Sequence, residues 1–145
     1  MAYVPKDAEW FLAELVEEIR VFGCPRNIVH INYVLIRADS PEDAYRKAIE
    51  SGRRAVSDYI NPEGKAVRIR FRGLRNLDVI HDPLKDGCEI MFVEKLRVTK
   101  RGLQKLVRKK HELEVFQPVR TRRGRPDYCS KEIVKEVAEK IAAKS

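Results

Sequence analysis

The sequence predicts an α+β fold: a four-stranded antiparallel sheet in β-β-α-β-β-α order with helices on one face, then a basic linker and a C-terminal helix. Three observations predict it. Residues 66–99 hold two runs of alternating apolar and charged residues. Val67, Ile69 and Phe71 alternate with Arg68, Arg70 and Arg72, then Ile90, Phe92, Leu96 and Val98 stand opposite Lys95 and Arg97. Such period-2 patterning marks strands with one apolar face. Two more runs, 10–21 and 28–38, are separated by the break Gly23-Cys24-Pro25-Arg26-Asn27, a short connection that favours antiparallel pairing. Between the two halves lies a helix start, Asp39-Ser40-Pro41-Glu42-Asp43.

In the first run Phe11, Ala13, Leu15, Ile19 and Val21 share a face interrupted by Glu17. The other face carries Trp10, Leu12, Glu14, Val16, Glu18 and Arg20. In the helix that follows, Ser40 caps, Pro41 takes the first helical position and the two carboxylates complement the helix dipole. Ala44, Tyr45, Ala48 and Ile49 form its sheet-facing stripe. Gly52 either ends this helix or lies inside one that runs on to Tyr59. Asn61-Pro62-Glu63-Gly64 is a turn, and Asp82-Pro83 and Asp86-Gly87 supply the wide loop of a hairpin. Thr99 is the expected cap of a helix over 100–116, with Leu103, Leu106, Val107 and Leu113 as its stripe. A last helix, 131–143, carries Ile133, Val137 and Ile141. The expected organisation is therefore one domain over 1–116, a linker over 117–130 and the terminal helix.

Four motifs together resemble one bacterial family, the domain of unknown function 4288. They are Trp10-Phe11-x-Ala13-x-Leu15, the segment 36–44, Phe71-Arg72-Gly73-Leu74 and Asp86-Gly87-x-Glu89. The resemblance spans about residues 10–116. It implies those boundaries and a bacterial origin and brings no activity with it.

Composition narrows the function. The net charge is +8, unevenly spread: 8 basic against 10 acidic side chains over 1–60, 14 against 8 over 61–116, and 8 against 4 over 117–145. Such a field favours anionic partners. No apolar run approaches the roughly 18 residues of a membrane span, and the start lacks the pattern of a signal peptide. The three cysteines and three histidines lack metal-ligand spacing, so no metal or cofactor is expected, and a reducing cytoplasm is. No phosphate-cradling glycine loop and no nucleophile–base arrangement is present, so no catalytic residues are assigned. Asp78, His81 and Asp82 lie close in sequence and read chiefly as turn chemistry.

Two basic constellations are candidate nucleic-acid contacts. The first is Arg68, Arg70 and Arg72 with Lys95 and Arg97. In a hairpin that sets Phe71 against Leu96, these like charges would face each other, which destabilises a sheet. Either a phosphate backbone or the protein's own Glu14 and Glu18 must then neutralise them. The second is Arg120, Arg122, Arg123, Gly124 and Arg125, whose Arg-Gly-Arg-Pro core resembles an AT-hook. Glycine lets an extended backbone lie on the minor-groove floor while flanking arginines enter it; Asp127 departs from that pattern. A third feature is apolar: Trp10, Leu12, Val16, Val34, Ile36, Met91 and Val93, with Leu74, would lie on the second sheet face. A protein partner, a second copy or the terminal helix would cover it. The expectation is a non-enzymatic protein that binds DNA or RNA, the alternative a protein-interaction module of antidote or adaptor type, with an uncharacterised enzyme third.

Overall fold

The first strand, β1 (Trp10–Val21), lies inside the sheet, flanked by β2 (Ile28–Arg37) and β4 (Ala66–Val79), with β3 (Ser57–Ile60) beyond β4. The computed structural model describes residues 3–118 and 126–144. The chain forms two compact units, Met1–Met91 with Pro126–Ser145, and Phe92–Arg125. All strand pairs are antiparallel and the sheet order is β2-β1-β4-β3.

The alternation in β1 does what its pattern requires. Phe11, Ala13 and Leu15 are buried with Ile36, Ala38, Val79 and two helix alanines, while Ile19 and Val21 are buried with Val67 in a second cluster. Glu17, opposite His30 on β2 and Phe71 on β4, stands where one cluster gives way to the other. Helix α1 (Pro41–Arg54) starts as its sequence dictates: Ser40 Oγ accepts the Asp43 N–H at 3.1 Å, and Pro41 opens the first turn. Its buried stripe is Ala44, Ala48 and Gly52, spaced four apart, and Tyr45 is exposed. Gly52 has a reason to be glycine, since a Cβ there would come within 2.4 Å of the Phe71 ring.

Several expectations are corrected. Residues 90–98 form no strand, so the hairpin with 67–72 does not exist. Val67 and Ile69, which that hairpin would have used, lie between two other strands, paired with Val21 and Ile19 of β1 and with Tyr59 and Ser57 of β3. Arg97 also sits at φ 58, a left-handed conformation that no strand continues through. The strand that completes the sheet is β3, Ser57–Ile60, a segment expected either as the end of the helix or as chain beyond it; α1 in fact ends at Arg54. Val34 and Ile36 lie on the helix-covered face, because β2 pairs them with Ala13 and Phe11. Leu74 packs there too, and Met91 and Val93 lie outside the sheet.

In the second unit Thr99 caps as expected, its Oγ1 accepting the Gly102 N–H at 3.0 Å. The helix, however, is only α2 (Lys100–Leu106), followed by 3-10 turns at Lys110–Glu112 and Glu114–Phe116. Continuing it would stack Lys105, Arg108 and Lys109 at three- and four-residue spacing, where like charges repel. Helix α3 (Lys131–Lys144) belongs to the first unit. The segment before it is fastened to the sheet by Tyr59, whose hydroxyl donates to the Tyr128 carbonyl, and by the fully buried Asn61, which donates to the Asp127 carbonyl at 2.9 Å.

Candidate nucleic-acid interface

The register of β1 against β4 slips twice, between Glu14 and Leu15 and again between Val16 and Glu17. At each slip β4 carries one residue without a partner on β1: Arg75, between Asn76 and Leu74, and Arg72, between Gly73 and Phe71. Bulges of this kind re-aim side chains, and Gly73 between them takes φ +131, a value that strains other residues. Both extra residues are arginines and each meets a glutamate of β1. Arg72 donates through Nε and Nη2 to Glu18 at 3.1 and 2.7 Å. Arg75 donates through Nε to Glu14 at 2.9 Å, pairs with it again through Nη2, and donates to the Tyr33 hydroxyl at 3.0 Å.

The remaining sheet arginines are neutralised as well. Arg70 grips Asp58 of β3 with bonds of 2.9 and 3.3 Å, and Arg68 lies 3.6 Å from the same carboxylate. Bonds from Asn27 and then Arg72 hold the Glu18 carboxyl below its ordinary range, and Arg70 does the same for Asp58. The Glu14 contact raises the affinity of Arg75 for its proton. Of the two glutamates expected to neutralise the arginine row, Glu18 does so for Arg72, whereas Glu14 holds Arg75, outside the row. Sequence reading missed Arg75 and Asp58, because bulge positions and the third strand carry no periodic signal.

The basic stretch of the second unit is different. Residues 92–125 hold twelve lysines and arginines against three glutamates, a net +9. Eight of those cations, from Lys95 to Lys110, lie among the described residues, and none of their side-chain charges is ion-paired there; the Glu112 carboxylate accepts only the backbone N–H of Lys109, at 3.2 Å. From sequence Lys105, Arg108, Lys109 and Lys110 read as the polar face of the helix expected over 100–116 and not as contact residues, although the charge run itself was the signal. Lys95 and Arg97 belong to this stretch and not to the arginine row. Arg120, Arg122, Arg123, Gly124 and Arg125 lie outside the described residues.

Little in the described residues points to reaction chemistry. Asp82 accepts the Glu89 N–H at 3.2 Å and Asp78 accepts the N–H of Val79, so both carboxylates serve local backbone. A groove of about 600 Å³ between β3 and α3 is lined by Tyr59, Ile69, Tyr128, Ile133, Val134 and Val137. It is apolar, and the one carboxylate on its rim, Asp58, is already engaged. Among the described residues no cluster of His, Cys, Asp or Glu could hold a metal ion, and no helix is long and apolar enough to cross a membrane. Of the apolar residues expected on the second face, Trp10, Leu12 and Val16 share it with Leu35, Ile31 and Tyr33 of β2.

In comparison with known proteins, a family model described as a domain of unknown function (DUF4288) fits residues 10–92. No curated protein and no solved structure matches the chain. The matched span contains the whole sheet and α1 and stops where the basic stretch begins.

Proposed function

We propose, from the premise that the chain belongs to the DUF4288 family, that this protein is a non-enzymatic binding protein of the bacterial cytoplasm that engages nucleic acid. The contact surface is the basic stretch 92–125. One observation carries the reading: the division of charge between the two units. The arginines of the sheet are held by Glu14, Glu18 and Asp58. The eight described cations from Lys95 to Lys110 have no such carboxylate partners among the described residues. Unneutralised lysines and arginines gain most from phosphates, because each contact releases a condensed counterion. Such binding positions the protein on a backbone and reads little sequence by itself. The Arg123-Gly124-Arg125 core would add a preference for the narrow minor groove of A·T-rich DNA.

The test is a fluorescence anisotropy titration of the full chain on short duplexes at several salt concentrations. Replacing Lys105, Arg108, Lys109 and Lys110 by glutamine weakens binding equally on all sequences. It also flattens the plot of log K against log salt by about 0.9 per lost phosphate contact. Replacing Arg123 and Arg125 by alanine costs more affinity on A·T-rich than on G·C-rich duplex. Unchanged affinity and slope in the first variant overturns the reading.

A second reading has its own observation. Phe92, Val93, Leu96, Val107 and Val115 are each more than 70% exposed within the same stretch. Apolar side chains among unpaired cations also suit an acidic protein surface. A pull-down that retains a protein partner after nuclease treatment favours this alternative.

A further inference from the structure

The two edges of the sheet are built differently. On one side β3, four residues long and carrying Asp58, covers only Ala66–Ile69 of β4, and beyond it the edge is β4 itself, broken by the bulges at Arg72 and Arg75. Short, charged or bulged edges of this kind resist strand addition. On the other side β2 runs for ten residues, Ile-Val-His-Ile-Asn-Tyr-Val-Leu-Ile-Arg, with no proline, no lysine and one charge, Arg37, at its very end. Among the described residues no strand lies beyond it. Every second residue of such an edge points its N–H and C=O away from the sheet. Along the open face of this strand Val29, Tyr33 and Leu35 are about half exposed.

We infer that β2 pairs antiparallel with β2 of a second copy of this chain, joining two sheets into one of eight strands. The occupant is a second copy because the strand is complementary to itself. A two-fold axis at Asn32 sets Val29 opposite Leu35 and Ile31 opposite Tyr33, each twice, on the open face. On the helix side it sets Ile28 opposite Ile36 and His30 opposite Val34, with the two Asn32 amides meeting at the axis. Directly opposed apolar and aromatic pairs are the favourable unit of sheet pairing. No like charges face each other, since Arg37 falls opposite Asn27. The axis also keeps the faces in phase, with both α1 helices on one side, whereas a slip by one residue would turn every side chain over. The pairing is independent of nucleic-acid binding and responds oppositely to salt. Each copy carries +8, so screening favours the dimer while it weakens phosphate contacts.

The experiment is sedimentation velocity of the full chain, free of nucleic acid, over a range of protein and salt concentrations, with amide hydrogen exchange alongside. The expected species has twice the 16.9 kDa of one chain. It persists as salt is raised, and the outward amides of 28–37 gain protection with protein concentration. V29K/L35K sets two lysine pairs across the axis and weakens association by about tenfold or more, with an unchanged circular dichroism spectrum. A wild-type chain that stays at the single-chain mass overturns the inference. So does a V29K/L35K chain that associates as tightly as wild type, or a dimer whose 28–37 amides exchange as fast as in the monomer.

Discussion

Asn61 donates from Nδ2 to the carbonyl of Asp127 at 2.9 Å, while its Oδ1 accepts the Lys65 N–H at 2.8 Å. One side chain, fully buried, thus closes the β3–β4 turn and fixes the chain just beyond the arginine-rich segment 120–125. Asp127 breaks the basic run that an AT-hook would continue, and the structure gives it other work. Its carbonyl takes the Asn61 bond and its carboxylate accepts the Cys129 N–H at 2.9 Å.

Replacing Asn61 by leucine keeps the volume and removes both bonds. The Lys65 N–H and the Asp127 carbonyl are then left without their partners, at a cost of about 1–3 kcal/mol. Thermal denaturation should show a melting point lower by several degrees. Proteolysis should also cut 117–130 faster than in the wild type. A variant that keeps both the melting point and the cleavage rate would show that Asn61 fastens nothing.

The Arg75–Glu14 pair makes a second prediction through its asymmetry. The Glu14 side chain is 5% exposed and that of Arg75 is 49% exposed. Removing the arginine leaves a buried carboxylate, which is worse than removing both charges. R75Q should therefore unfold at a lower urea concentration than wild type, and E14Q/R75Q should recover much of the loss. Equal midpoints for R75Q and the double variant would mean that the pair is already screened by water.

How much of this was legible follows from which signals are periodic. The runs over 10–21 and 28–38 and the cap at Ser40 are local patterns that appear where their residues predict them, while the stripe under α1 keeps Ala44 and Ala48 but takes Gly52 and leaves Tyr45 exposed. The third strand was hidden, because Ser57-Asp58-Tyr59-Ile60 is too short to show alternation. With it missing, 90–98 became the only available fourth strand, and a false hairpin followed. The sheet arginines were legible as a charge problem, but only Glu18 answers it as the shared face suggests, by holding Arg72; Arg70 and Arg68 turn to Asp58, and Glu14 holds Arg75, outside the row. The bulges at Arg72 and Arg75 were not legible, since an inserted residue shifts the period without announcing where. Gly73 was the one trace of them. The β2 edge could not be recognised until the strand order placed it outermost.

Gly52 and Phe71 should behave as a coupled pair. A methyl group at Gly52 would meet three ring carbons of Phe71 at 2.4–2.5 Å. Overpacking of this kind costs about 1–3 kcal/mol, offset by up to about 1 kcal/mol of better helix propensity. G52A is then destabilising in the wild-type background. In an F71A background the clash is gone and the same change becomes neutral or stabilising. A double-mutant cycle by chemical denaturation measures the difference, and additive effects would show that the ring moves aside at no cost.

Acid should act on the sheet through named groups. The Glu18 carboxyl is held below its ordinary value mainly by the Asn27 hydrogen bond and next by that of Arg72, and Asp58 is held down by Arg70. Asp43 on α1 is lowered in the same way by Arg46. A group whose folded value is depressed stabilises the fold fully above its unfolded value, about 4 for these carboxyls. That contribution is lost as pH falls through the folded value. The urea midpoint should therefore be level between pH 7 and about 5 and decline below about 4, with exposed pairs contributing less in high salt. E18Q should start with a lower midpoint at pH 7 and show a shallower decline, because it has nothing left to protonate there. D58N should do the same with Arg70 and Arg68 intact. An acid limb as steep in E18Q as in wild type would place the proton uptake at other carboxyls and leave the Arg72 bulge without an energetic role.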